Sequence, residues 1–436
     1  MFYCNILINT CFTAACLPFG ELGTVVPKSG GLYIFLQTAF RTCHPFFGEL
    51  PAFIYFWITY TVIFPSATAV NAILFSEYSY EILQMFVNSQ ELCDEVILKS
   101  ILGASAILIV GALNCASVKL YIKSQDILTY TKMTIIVFIV GCGVYMFISG
   151  KSQDFDPGFK GTNLSFYGLS QALYFGLYAY DGGNFITGIT EEIKNPEKNI
   201  IYSLLISMSI VITTYLSLNI TFLTVLSPAE IENGTTVISD FADKLFGQKG
   251  CVVASGTISL CLLLSIMCGI FYCSRVGYVA AREGHIAEIL CCTHKTTKTP
   301  IPAVVVLVII SLLWFFSGQD LALLIDMFGF FSWLTYGFTM VALFVLRRKF
   351  PDAYRPFRVP SAIPVIVIFI SFSLVVMSVL LAGLHLILIA GVCMSFITLL
   401  YYIFVYRAFR IKYFDTFQKN LQIWFRLESP YDEIKS

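Results

Sequence analysis

Residues 171–199 read QALYFGLYAYDGGNFITGITEEIKNPEKN, and this segment constrains the architecture of the chain most strongly. It begins as an apolar, aromatic helix pattern, is interrupted at Asp181, Gly182 and Gly183, and ends in a charged loop. Glycine lowers helix stability, and a carboxylate is costly inside a bilayer. Such an interruption is tolerated where the freed backbone groups face a cavity and can bind a ligand. The segment therefore predicts a membrane helix that is broken at a binding site.

The composition around this segment is that of an integral membrane protein. Of the 436 residues, 57% are hydrophobic and 12% are charged, whereas soluble proteins average about 25% charged residues. The net charge of zero gives no reason to expect a nucleic-acid partner. Apolar windows of roughly 20 residues predict about eleven membrane crossings. The windows are 4–23, 46–75, 96–118, 127–149, 165–188, 201–225, 251–275, 301–317, 321–346, 362–383 and 384–406. The predicted fold is thus an all-α polytopic membrane protein.

Basic residues in short loops predict the orientation of the chain. The loop RRKFPDAYRPFRVP (347–360) carries five lysines and arginines and is placed in the cytoplasm. Counting crossings from it places loop 191–199 and the C-terminal tail on the same side. Residues 89–95, 151–162 and 227–250 then face the outside. The predicted organisation is a transmembrane domain over residues 1–406, followed by a cytoplasmic tail over residues 407–436.

Several longer motifs together carry a family resemblance. They are FGELGTVVPKSGGLYIFL (19–36), FGELPAFIYFW (47–57), FPSATAVNAILFSEY (64–78), LNCASVKLYIKSQD (113–126), GLYAYDGGN and TEEIKNPEKN (176–199), SRVGYVAAREGHIAEIL (274–290) and PDAYRPFRVPSAIP (351–364). With them the chain resembles the light chains of the heteromeric amino acid transporters, which belong to the amino acid–polyamine–organocation superfamily. Within this family it resembles the cystine/glutamate and b(0,+)-type exchangers.

The resemblance implies the fold of the bacterial leucine transporter, which has twelve helices, ten of them in two inverted repeats. The first window of this chain matches the second family helix, so the crossings correspond to the family's second to twelfth helices and the permease domain is incomplete at its N-terminus. We expect an intact version to carry roughly 50–60 further N-terminal residues.

The resemblance also assigns roles within the broken segment. Tyr178 matches an aromatic residue that closes over bound substrate, although a packing tyrosine is an equal alternative. Asp181 would pair with a cationic or distal ammonium group of the substrate; the alternative is an aspartate that caps free N–H groups at the break. Gly182 belongs to the same site. Gly183 stands where many members have tryptophan and should widen the pocket. Asn184 matches a polar position near the pocket, or makes a helix–helix hydrogen bond.

Further residues match functional positions outside the pocket. Lys123, Glu191 and Glu192 correspond to cytoplasmic gate positions, with solvated loop charges as the alternative. Cys93 matches the cysteine that forms a disulfide with a single-span glycoprotein heavy chain, and its outer location permits a disulfide. Asn233, in an NGT sequence on the outer side, is a candidate glycosylation acceptor.

The function implied by these assignments is sodium-independent exchange of L-amino acids by alternating access at the plasma membrane. Cystine, dibasic and neutral amino acids are the expected substrates. Cystine/glutamate or aspartate/glutamate exchange is one alternative, and a transport-inactive subunit that only binds a heavy chain is another. No nucleophile, metal set or phosphate loop accompanies the carboxylates, so we expect no enzyme activity, cofactor or metal. The expected partners are amino acid substrates, the heavy chain and membrane lipid.

Overall fold

The protein is almost entirely α-helical, and each predicted apolar window contains a helix. The computed structural model describes residues 2–86, 94–150, 166–227, 230–231, 237–318, 320–381, 383–406, 422 and 427–429. The all-α polytopic architecture predicted from the sequence is therefore confirmed.

The helices follow the order of the windows, with two short additions. The N-terminal helices are α1 (Phe2–Val25), α2 (Leu32–Phe40), α3 (Leu50–Phe86, with a π-helical turn at Thr59–Ile63), α4 (Glu95–Ala116), α5 (Val118–Ile148) and α6 (Phe166–Ala179). A 3₁₀ helix at Phe185–Glu192 follows α6. The remaining helices are α7 (Pro196–Val225), α8 (Val237–Phe246), α9 (Gln248–Arg282), α10 (Ile301–Ser317), α11 (Leu321–Lys349), α12 (Ala362–Leu381) and α13 (Gly383–Leu400). A 3₁₀ turn lies at Glu288–Cys291, and a π-helical turn at Tyr401–Tyr406 ends α13. The sequence did not predict the short helices α2 and α8.

Seven of the described helices are long and apolar enough to cross a bilayer, namely α3, α4, α5, α7, α9, α11 and α12. A rise of 1.5 Å per residue makes about 20 residues sufficient for the hydrocarbon core. α10 is apolar but shorter. On α5 the buried residues are Tyr121 and Gly143, so most of this hydrophobic helix faces outward, where lipid would surround it. The chain is a multi-pass membrane protein.

The core is formed by closely packed helices around α3 and α9. Gly277 of α9 lies against Tyr60 of α3, where an added Cβ would come within 2.7 Å of the tyrosine ring. Small residues allow membrane helices to approach each other in this way. Tyr60 is 1% exposed, and its hydroxyl donates to the carbonyl oxygen of Ala303 on α10 at 2.5 Å.

Ion pairs show which segments lie together at each end of the helix bundle. At one end, which we call the basic end, Arg41 lies 3.2 Å from Glu283. Further contacts bring the segments 26–49, 185–199, 283–300 and 350–361 to this end. At the other end, Lys99 of α4 lies 2.6 Å from Glu77 of α3. Residues 191–199 and 350–360 of the basic end are among those that the sequence predicts to be cytoplasmic, and the sidedness itself stays a prediction.

Part of the C-terminal tail returns to the basic end. Leu427–Glu428 pairs as an antiparallel strand (β2) with Thr293–His294 (β1) in the loop after α9. Lys298 lies 2.8 Å from Glu428, and Leu427 is buried. These contacts fasten the tail to the same side as the basic loops.

Candidate functional site

The predicted interruption of the broken segment is present. α6 ends at Ala179, and Gly182 adopts a φ of +119°, a backbone conformation that a side chain disfavours. The backbone N–H of Asp181 donates to the Tyr178 carbonyl at 3.3 Å, and the N–H of Phe185 donates to the Gly182 carbonyl at 3.0 Å. The chain then continues as a 3₁₀ helix rather than as a continuation of α6.

Asp181 projects from this break, and no cation of the described residues pairs with it. Its carboxylate accepts a short hydrogen bond from the hydroxyl of Tyr336 on α11 and one from the N–H of Gly182. None of the ion pairs among the described residues includes Asp181. A carboxylate offers about four acceptor positions, so Asp181 can still receive a ligand.

Two cavities meet at Asp181. The first, here called the aromatic cavity, lies between α1, α6 and α11; its lining includes Cys16, Leu177, Tyr178, Phe328 and Trp333. The second, here called the polar cavity, has a lining that includes Tyr55, Thr59, Phe64, Asn184, Phe185 and Thr335. Both are also lined by Asp181, Ser332 and Tyr336. A carboxylate therefore stands between an apolar compartment and a more polar one.

Tyr178 and Asn184, both predicted site residues, lie in different cavities. The ring of Tyr178 contacts that of Phe328 edge-on at 4.9 Å, and its hydroxyl donates to the Ala67 carbonyl at 3.4 Å. Asn184 is 5% exposed, and its side-chain oxygen has no hydrogen-bond partner within the described part of the chain. A buried acceptor left unpaired is costly, which favours a ligand donor at this point.

Of the two glycines of the break, Gly182 contributes through its backbone conformation. Neither Gly182 nor Gly183 is among the described residues that line the two cavities. Gly182 permits the turn that orients Asp181. The prediction that Gly183 widens the pocket stays a prediction.

The predicted gate carboxylates lie at the basic end. Glu192 is 3.0 Å from Arg275, and Glu191 is 3.7 Å from Arg282, with both arginines on α9. Lys123 is solvent-exposed on α5 and takes part in none of these ion pairs. The structure therefore joins Glu191 and Glu192 to α9 but does not bring Lys123 to them.

A loop from the N-terminal part of the chain fastens onto the 3₁₀ helix beside these ion pairs. The N–H of Gly30 donates to the Gly188 carbonyl and the N–H of Gly31 to the Thr187 carbonyl, each at 3.2 Å. Ser29 exchanges hydrogen bonds with Glu191. These contacts close the basic end beneath the polar cavity.

The positions of Cys93 and Asn233 lie outside the described residues. The residue after Cys93 is Asp94, which caps the N-terminus of α4 by accepting from the N–H of Val96 at 3.2 Å. Their predicted roles in a disulfide and in glycosylation remain predictions.

Sequence reasoning missed the contribution of α11. Ser332, Thr335 and Tyr336 line the site, and their spacing places them on one helical face. Polar residues at that spacing in the apolar run FFSWLTYGF (330–338) were the available signal. From the sequence alone such a run is interpreted as ordinary helix packing, because Asp181, which Tyr336 contacts, is 155 residues away in the chain.

Comparison with known proteins identifies the family. The chain matches the family described as "Amino acid permease" over residues 1–409. It is 37% identical over 362 residues to a cystine/glutamate transporter of Homo sapiens, an alignment covering 83% of this chain and 70% of that protein. The chain belongs to the amino acid permease family. This permease is also 34% identical over 363 residues to a b(0,+)-type amino acid transporter 1 of Mus musculus, covering 83% of the chain and 72% of the relative.

A third relative extends the match along the chain. The permease is 30% identical over 428 residues to a large neutral amino acids transporter small subunit 2 of Mus musculus, covering 95% of the chain and 76% of that protein. The family and these relatives support amino acid transport as the general activity, and the predicted resemblance is confirmed.

Proposed function

We propose that this permease is a sodium-independent L-amino acid exchanger that works by alternating access. In this proposal Asp181 binds the substrate side chain and determines selectivity. The observation that carries the proposal is the placement of Asp181: it lies at a helix break, borders two cavities and has no cationic partner among the described residues. An ionisable residue at membrane depth marks a functional site by default.

The backbone of the break supplies recognition of the α-groups. Free N–H groups at a helix N-terminus favour a carboxylate, and free carbonyls at a C-terminus favour an ammonium group. α6 ends at Ala179, two residues before Asp181, and its last carbonyl groups accept from the N–H of Tyr180, the N–H of Asp181 and the Tyr215 hydroxyl. Each carbonyl oxygen has two acceptor positions, so the second position is the one a substrate ammonium group would use. Recognition of this kind applies to every L-amino acid and leaves selectivity to the side chains of the site.

Asp181 then favours cationic side chains, cystine and neutral amino acids over anionic ones. An ionised carboxylate attracts a guanidinium or ammonium group and repels a second carboxylate. The rings of Tyr178 and Trp333 line the aromatic cavity and can contact either an apolar side chain or a cation. Asn184 offers an unpaired acceptor to a distal N–H group. We therefore expect cystine, dibasic and neutral amino acids to be carried.

Two alternative functions are also proposed. The human relative at 37% identity is a cystine/glutamate transporter. Cystine/glutamate or aspartate/glutamate exchange is therefore the first alternative. A subunit that binds a heavy chain without transporting is the second.

Alternating access requires the basic end to open. The ion pairs Glu192–Arg275 and Glu191–Arg282 have exposed carboxylates, with 53% and 45% of those side chains accessible. Exposed pairs contribute only about 0.2–1 kcal/mol each. They can therefore hold the closed state without making the opening step prohibitive.

The orientation and partners follow the predicted sidedness. We propose that the basic end and the C-terminal tail are cytoplasmic in the plasma membrane, which agrees with the positive-inside tendency. A single-span glycoprotein heavy chain would be linked through Cys93 on the outer side, and Asn233 would be available there for glycosylation.

The test is uptake by the purified permease in proteoliposomes loaded with, or free of, internal amino acid. We expect labelled arginine and cystine to enter only when internal amino acid is present, and glutamate to enter poorly. If glutamate is carried best and Asp181→Asn changes nothing, the substrate assignment is wrong. If no substrate enters under any loading, the inactive-subunit alternative is favoured.

A further inference from the structure

We infer that Tyr272 is a plug between the polar cavity and the basic end, and that its ring must withdraw before a substrate can leave there. The inference rests on the proposed transport function and adds a gating residue that the sequence did not indicate. Tyr272 lies on α9 and is 2% exposed.

The ring of Tyr272 forms a layer behind the wall of the polar cavity. It stacks on Phe185 with ring centroids 4.6 Å apart and planes 13° apart, and it lies 5.2 Å from the ring of Phe64. Phe64 and Phe185 both line the polar cavity. The three rings come from α3, the broken segment and α9, so the layer is an interface between elements that can separate.

Two glycines make room for the tyrosine at the seam that closes the basic end. A Cβ added at Gly31 would collide with the Tyr272 hydroxyl, and one added at Gly188 would collide with its ring. Gly31 has a φ of +58°, and its N–H donates to the Thr187 carbonyl, next to Gly188. The ring is therefore wedged where loop 29–31 joins the 3₁₀ helix of the broken segment.

The same helix carries the two gate arginines. Arg275 and Arg282 follow Tyr272 by three and ten residues, or about 4.5 and 15 Å along α9 at 1.5 Å per residue. They pair with Glu192 and Glu191 of the broken segment. From the cavity outward, the path thus meets an aromatic layer and then two ion pairs. A displacement of α9 from the broken segment would release all three contacts together.

The test measures access from the basic end without depending on transport. Ser332 lines both cavities, so Ser332→Cys places a reporter thiol in the site. A membrane-impermeant maleimide is added to the basic side of oriented vesicles, and the rate of labelling at position 332 is read by peptide mass spectrometry. Adding Tyr272→Ala should raise that rate at least about tenfold, because an open state populated at no more than roughly 10% becomes the prevailing one.

Matched variants distinguish the effect of removing the Tyr272 ring from a general loosening of the helix packing. Tyr272→Phe keeps the ring and should label at the parent rate, as should Tyr202→Ala, which truncates a tyrosine 61% exposed on α7. Gly188→Ala should push the ring from its notch and raise labelling without altering Tyr272 itself. This variant keeps the inference testable if Tyr272→Ala does not fold.

Equal labelling rates in the parent, Tyr272→Ala and Gly188→Ala would overturn the inference. If Tyr272→Ala does not fold, equal rates in the parent and Gly188→Ala are sufficient to overturn it. Labelling reports access whether or not substrate moves, so failure of the transport proposal would show separately, as absent uptake by the parent permease.

Discussion

Two acidic residues of this permease, Glu21 and Asp181, lie inside the helix bundle in very different surroundings. Glu21 is 0% exposed and accepts hydrogen bonds from Arg347 Nε at 2.8 Å, Arg347 Nη2 at 2.6 Å and the N–H of Val359 at 2.8 Å. Asp181 receives the Tyr336 hydroxyl and a backbone N–H from its own loop. The first charge is neutralised by an arginine inside the protein, whereas the second is in none of the ion pairs of the described residues.

The fold accounts for this contrast. Glu21 lies on α1 and joins it to the end of α11 and to loop 350–361. A second arginine, Arg355, has its Nε 3.6 Å from Glu21 Oε1. A two-pronged arginine contact of this kind is strong and directional. Asp181 lies where a helix is interrupted and two cavities meet. We therefore expect Glu21, which joins three elements, to serve stability, and we propose that Asp181, which borders two cavities, serves binding.

The largest effect is expected from breaking the Glu21 cluster. Glu21→Leu leaves Arg347 buried without its partner, which should lower the free energy of unfolding by about 3–5 kcal/mol. Thermal unfolding followed by tryptophan fluorescence in detergent measures this change. Asp181→Asn is the control and should unfold near the parent temperature. Equal losses in both variants would remove the distinction between the two carboxylates.

A smaller effect is expected from the backbone that presents Asp181. Gly182→Ala forces a side chain into a φ of +119° and should cost about 1–3 kcal/mol while slowing exchange. Gly183 is the matched control, because it is not among the described glycines with positive φ. Exchange rates in proteoliposomes and melting temperatures should fall further for Gly182→Ala than for Gly183→Ala, and the reverse order would contradict this role.

The smallest effect is expected at the gate ion pairs. Glu192→Gln removes the pair with Arg275 and should weaken the closed state by about 0.2–1 kcal/mol, which is up to roughly a fivefold change in access. Labelling of Ser332→Cys from the basic side measures it. Lys123→Gln should leave the rate unchanged, because Lys123 is exposed and takes no part in the ion pairs. A larger effect for Lys123→Gln would restore it as a gate residue.

The sequence predicted the parts of this molecule that have local causes. Apolar runs of sufficient length located a helix in every window, and the Asp-Gly-Gly triplet located the break. Both follow from the cost of burying polar backbone in lipid. Within window 165–188, however, the regular helix ends at Ala179. The hydropathy of a window does not show at which residue a helix ends, so this boundary was not predicted.

The parts with distant causes were not predictable. Tyr336 reaches Asp181, and Arg347 reaches Glu21, across 155 and 326 residues of sequence. From the sequence, Tyr272 would be interpreted as an ordinary core aromatic residue. Its inferred gating role depends on the space that Gly31 and Gly188 leave in other elements. Such contacts depend on tertiary packing, for which a single sequence carries no periodic signal.

The central claim is that Asp181 is a charge reserved for the substrate, and the ratio of arginine to leucine uptake tests it most directly. Asp181→Asn keeps the shape of the side chain and removes its charge. Loss of a hydrogen-bonded charge contact of about 1.5–3 kcal/mol predicts a fall of roughly 10- to 100-fold in the arginine-to-leucine ratio, with leucine exchange retained. An unchanged ratio in a folded, leucine-transporting variant would contradict the account.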